Sequence, residues 1–316
     1  MGDMARHREQ SGKPGQAGFS LLEVMVAMAI LLVVAGTVIS ALLHMTKVEG
    51  TVTNQTELHS SVRNATELLT QEVGQAGRVS VPQSITLVGN VLAPTGASAP
   101  ATVAVSSATS LFVGEKVAVD TGGSKETVAL TAVNAGANTI TASFTQAHAP
   151  GVPVLVGGSF VSGIVPPSFP NGSTATTLKL YGDINGDGNL EYVEYTCDVG
   201  TGNFYRNVMP LTVPVKPLVD PSMILINNIQ ANPGGTACFT YQEKAVQNSP
   251  TTAVINVGIT LTVQTQYQDP QTGQYRKESK ALLNVAPRNV FYGWQMGNAG
   301  LTDRLQPMPP TVLALL

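Results

Sequence analysis

An apolar run close to the N-terminus constrains this chain most: from Val24 to Leu43 there are twenty residues without a charged side chain. As a helix that run covers roughly 30 Å, the hydrocarbon thickness of a bilayer. The residues before it are polar, carry Arg6, Arg8 and Lys13, and end in Gly18. A secretory signal peptide places its apolar core ahead of a small-residue cut site, so the order here is reversed. The basic flank favours the cytoplasmic side of an inner membrane, which puts everything beyond about His44 on the far side. A periplasmic or extracellular globular part is therefore expected.

Glu23 interrupts the apolar pattern one turn into the helix, where a carboxylate costs several kcal/mol unless it is paired or near the interface. Two readings stand. If the chain is cut after Gly18, the new α-amino group of Phe19 on a neighbouring subunit could meet Glu23; otherwise Glu23 snorkels to the interface unpartnered.

The stretch Gly18-Phe19-Ser20-Leu21-Leu22-Glu23, followed by the apolar run, resembles the class III signal of type IV prepilins and type II secretion pseudopilins. The resemblance implies cleavage between Gly18 and Phe19 by a prepilin peptidase and N-methylation of Phe19. It also implies that Glu23 serves assembly, with other major and minor pilins as partners through the N-terminal helix. Within that group the chain is most similar to PilW-like minor prepilins, on Glu67-Leu68-Leu69-Thr70-Gln71-Glu72-Val73-Gly74-Gln75-Ala76-Gly77, the acidic loop at Asp183, and Val285-Ala286-Pro287-Arg288-Asn289-Val290.

Beyond the membrane, Leu58, Val62, Ala65, Leu69 and Val73 recur at three or four residues, so the helix should continue to about Gln75 before Gly77 and Pro82 stop it. From Val81 the signals turn to short β runs broken by Gly, Pro and Asn. The expected fold class is α+β: a long N-terminal helical spine, its first half transmembrane, packed on an antiparallel β-sheet domain that carries an all-β insertion. The expected segments are a leader at 1–18, a transmembrane helix at 19–43, an amphipathic spine helix at 44–77, the insertion at 83–160, the β-sheet domain at 165–290 and a tail at 291–316. Ile255, Val257, Ile259, Leu261 and Val263 alternate as a half-buried strand should, with a turn at 269–273 and an antiparallel return to Val285.

Asp183-Ile184-Asn185-Gly186-Asp187-Gly188-Asn189-Leu190-Glu191-Tyr192-Val193-Glu194 fits the calcium-loop spacing of hard oxygen ligands at alternate positions. The flanks read as strands, so an extended exit carries Glu194 away at about 3.3 Å per residue and leaves Glu191 as the better closing carboxylate. The expected ligands are Asp183, Asn185, Asp187, Asn189 through its carbonyl, and Glu191; the alternative is an acidic turn that holds no metal. Cys197 and Cys238 both lie on the exported side in strand-like stretches, where a disulfide is the default and two buried thiols the alternative.

A net charge of −3 with 12% charged residues supplies no basic field for nucleic acid. The four histidines fall in no catalytic or metal pattern, and no phosphate-binding glycine loop occurs, so an enzyme is not expected. The leading expectation is a minor pilin that initiates or caps a type IV pilus. The alternatives are a type II secretion minor pseudopilin, and a pilus-tip adhesin-like module whose insertion contacts a partner or host surface.

Overall fold

The computed structural model describes residues 18–92, 100–247 and 251–315; apart from Gly18, the expected leader lies outside them. One helix, α1 (Leu21–Gln75), runs for 55 residues, roughly 80 Å. Its first half is exposed along nearly all its length and is long and apolar enough to cross a membrane. Burial begins at Thr51 and follows the expected stripe, with Leu58, Val62, Ala65, Leu69 and Val73 all withdrawn from water. Each of the larger side chains contributes about 1.5–3 kcal/mol by that burial.

The six-stranded insertion contains β1 (Ile85–Thr86), β2 (Pro100–Ala104), β3 (Lys116–Val119), β4 (Glu126–Asn134), β5 (Thr139–Ser143) and β6 (Pro153–Val156), ordered β1-β6-β3-β4-β5-β2. Leu87, just past β1, bridges to Val105, just past β2, so the two edges meet and the sheet curls around its own core. Val117, Leu130, Ile140, Phe144 and Val154 fill that core. The module ends at Val156 and not at residue 160. The next strand, β7 (Ser159–Phe160), pairs with a strand near the C-terminal end and belongs to the body.

The body holds two antiparallel sheets. One contains β8 (Thr177–Gly182), β9 (Glu191–Asp198), β10 (Asn203–Pro210) and β11 (Ile224–Asn227), ordered β11-β10-β9-β8. The other contains β12 (Ile229–Gln230), β13 (Phe239–Ala245), β14 (Thr252–Gln264) and β15 (Lys277–Val285). Its long β14 carries β13 and β12 on one side and β15 on the other. Both sheets and the buried stripe of α1 share one core, including Leu178, Val193, Phe204, Phe239, Ile259 and Leu261. The helix and the sheets thus supply each other's missing apolar partner.

Of the expected tail, residues 291–315 pack on the body. The helix α2 (Arg288–Asn298) begins inside the expected sheet domain and buries Val290 and Met296 against Val161 and Val246. Beyond it, β16 (Leu305–Gln306) runs parallel to β7, and Val312 of α3 (Pro310–Leu315) is buried with Phe160 and Tyr181. The Gln306 side chain bonds two backbone groups of the insertion and one just past it: it accepts from Lys116 N at 2.8 Å and donates to Lys116 O and Gly157 O, each at 2.7 Å. The C-terminal segment therefore fastens the module to the body.

Candidate functional site

At the start of α1 the Ser20 hydroxyl accepts from Glu23 N at 3.2 Å and caps the helix. Ser20 and Glu23 have the spacing of a capping box, a local signal that gives Glu23 a reason to stand at the third helical position independent of any partner. A carboxylate there also complements the positive end of the helix dipole. Phe19 is 81% exposed, and within the single chain Glu23 has no ion-pair partner among the described residues. Within the single chain the entry to the helix is thus exposed.

Asp183 to Glu191 form the loop of the β8–β9 hairpin, where Gly182 pairs with Glu191. Gly188 is required at φ +88°, since a Cβ there would sit 2.6 Å from Pro82 Cα. Asp183 is fully buried: its Oδ1 accepts from Gly188 N at 3.3 Å, while Oδ2 has no hydrogen bond and faces Arg78 Nε at 3.4 Å. Asn185 Nδ2 donates to Asp187 Oδ2 at 3.0 Å and reaches Glu191 Oε1 at 3.4 Å. Asp187 Oδ1 accepts from Asn189 N at 2.7 Å, and that bond leads in holding its carboxyl below the usual range. Partial burial, then the charge of Asp187, pushes the Glu191 carboxyl up.

The loop brings Asn185, Asp187 and Glu191 together but turns Asp183 inward. Among the described residues no three acidic, His or Cys side chains are gathered as around a metal. Carboxylates this close repel one another; the Asn185 amide bridges Asp187 and Glu191, and Arg78 stands beside Asp183. Glu194 lies outside the group, held by Lys216 Nζ at 2.9 Å and by the Tyr192 hydroxyl at 2.9 Å.

Cys197 on β9 and Cys238, just before β13, form a disulfide with a Cα–Cα distance of 6.5 Å, which joins the two body sheets. The helix is joined to the first sheet by Glu72, which accepts from Arg206 through both oxygens and from the Tyr195 hydroxyl at 2.6 Å. Lower on the helix, Asp269 accepts from the Thr51 hydroxyl at 3.0 Å and from Arg276 Nε at 2.6 Å, gripping α1 where its exposed half ends. Sequence reading missed these anchors because their partners are far apart along the chain. His148, which falls in no sequence pattern of its own, is buried between Asp120 at 3.2 Å and Glu126 at 2.7 Å inside the insertion.

A family model described as the prokaryotic N-terminal methylation motif matches residues 13–39. Comparison with curated proteins and with solved structures gives no match. The motif and the apolar helix that follows mark the N-terminus as that of a type IV pilin- or pseudopilin-like precursor.

Proposed function

We propose that the chain is a minor type IV pilin of the PilW-like kind, a structural subunit that initiates or caps a filament after removal of its leader. The observation that carries this is the added module. It closes around its own core and follows the end of α1 opposite the apolar half, adding bulk at that end of the subunit. A repeating shaft subunit gains nothing from such bulk, whereas an end subunit tolerates it. On this reading the precursor rests in the inner membrane with its body in the periplasm, is cut by prepilin peptidase, and joins other pilins through Phe19, Glu23 and the apolar helix.

The experiment is loss of the gene together with N-terminal sequencing of the membrane-derived protein. Fewer surface pili with intact type II secretion, and a mature chain starting at Phe19, support the reading. Lost secretion with normal pili assigns a pseudopilus instead. A chain that keeps its leader beside an active peptidase overturns both, and Gly18→Leu should create that state deliberately.

We also propose that the β8–β9 loop is a structural calcium site. The gathering of Asn185, Asp187 and Glu191 supports it, and at the same turn Asp183 Oδ2 is buried without a hydrogen bond, facing Arg78 Nε at 3.4 Å. Asp183, Asn185, Asp187 and Glu191 supply hard oxygens and Asn189 a carbonyl, the donor chemistry that calcium takes. The ion would offset both the burial that chiefly raises Glu191 and the added repulsion from Asp187, and would fix the hairpin against the end of the spine.

A further inference from the structure

We propose that the cleft between α1 and the free edge of β15 takes an acidic, extended segment of a neighbouring filament subunit as an added strand. The word subunit rests on the filament reading above; the chemistry of the cleft does not. Among the described residues β15 pairs with β14 alone, so backbone N–H and C=O groups along its outer edge lack partners. Beside that edge lies a cleft of about 1150 Å³, walled by Arg63, Thr70 and Gly74 of the helix and by Lys280, Asn284 and Arg288. At Gly74 a Cβ would meet nothing within 4 Å, so the space is open to a chain.

Charge selects the occupant. Arg63 is satisfied by Glu67 at 2.7 Å, and Glu278, the acidic group on β15, is held by His59 at 2.6 Å. Lys280 and Arg288 have no carboxylate partner among the described residues. The cleft is therefore net positive on a chain whose overall charge is −3. A docked helix would need an apolar stripe, and the helical wall offers Thr66, Thr70 and Gln71 instead. A strand needs only the open edge, with side-chain carboxylates alternating toward Lys280 and Arg288. Cations on an exposed edge also repel basic strands, so the same residues exclude wrong partners.

The test uses the full chain in detergent and three eight-residue peptides that alternate Thr with Glu, Gln or Lys, followed by fluorescence anisotropy. The Glu peptide should bind, protect β15 amides from hydrogen exchange, and lose about tenfold or more in affinity to the double variant Lys280→Glu, Arg288→Glu. Both positions are exposed, and unchanged melting of the variant shows that it folds. N-methylating alternate backbone nitrogens of the Glu peptide should abolish binding while keeping its charge. No binding, equal binding of the Gln peptide, or full binding of the N-methylated peptide would overturn the proposal. Since no filament is needed, binding by a chain that builds no pilus would retain the cleft and discard the minor-pilin reading.

Discussion

Glu72 of the spine helix and Arg206 of β10 are 134 residues apart in sequence and joined through both carboxylate oxygens, with the Glu72 side chain 5% exposed. Removing one member of such a pair leaves a charge stranded in the core. Arg206→Ala should therefore cost about 3 kcal/mol in denaturant unfolding of the solubilised chain. Arg206→Lys should recover part of that, because an ammonium replaces the charge but not the two-pronged geometry. A loss below about 1 kcal/mol for Arg206→Ala would show that this ion pair adds little to the other contacts that hold the helix.

Calcium at millimolar concentration should raise the melting temperature relative to chelator, by an amount equivalent to about 2.7 kcal/mol if calcium is at 100 times its Kd. The calcium-dependent shift should vanish in Asp187→Ala and persist in Glu194→Ala, whatever each does to the baseline, since Glu194 is committed to Lys216 and Tyr192. Identical melting of the wild type in the two buffers would reduce the loop to a plain acidic turn.

Glu115 is fully buried beside β3, accepts from Phe112 N through Oε2 and leaves Oε1 unbonded. Desolvation pushes its carboxyl from the ordinary 4.5 up to about 8, so over that interval the folded chain holds a proton that the unfolded chain has released. Stability must then fall as pH rises through this window, by up to about 1.4 kcal/mol per pH unit. Glu115→Gln should remove that share of the slope, and superimposable melting-versus-pH curves for the two proteins would contradict the assignment.

The Cys197–Cys238 bond closes a loop with a sequence separation of 41. Its reduction should lower stability by about 3–4 kcal/mol in the chain-entropy account and loosen one body sheet from the other. Thiol counting on unreduced protein should find neither cysteine free.

The spine was legible because its signal is local: five apolar residues at helical spacing announce a stripe, and all five are buried. The hairpin around Asp183 was legible for the same reason, strand residues on both sides of a glycine-rich turn. The helix α2, which lies mostly in the stretch expected as a tail, was not: Gly293 and Gly297 weaken its local helical signal. Their actual cause lies elsewhere in the chain: a Cβ on Gly293 would stand 2.9 Å from Ser159 Oγ, and one on Gly297 would stand 2.5 Å from Val246 Cγ1. Close packing demanded glycine where propensity argued against it. Of the candidate site, residue types and order could be read, but not the inward turn of Asp183, which depends on Arg78 beyond the end of the helix.

Gln306 clasps Lys116 and Gly157 from a position near the C-terminal end of the sequence. The insertion can curl closed as soon as Pro153 to Val156 are made, yet its fastening requires residues synthesised some 150 positions later. The orientation of the module on the body thus rests on a clasp from a distant stretch of the sequence as well as on its two chain connections.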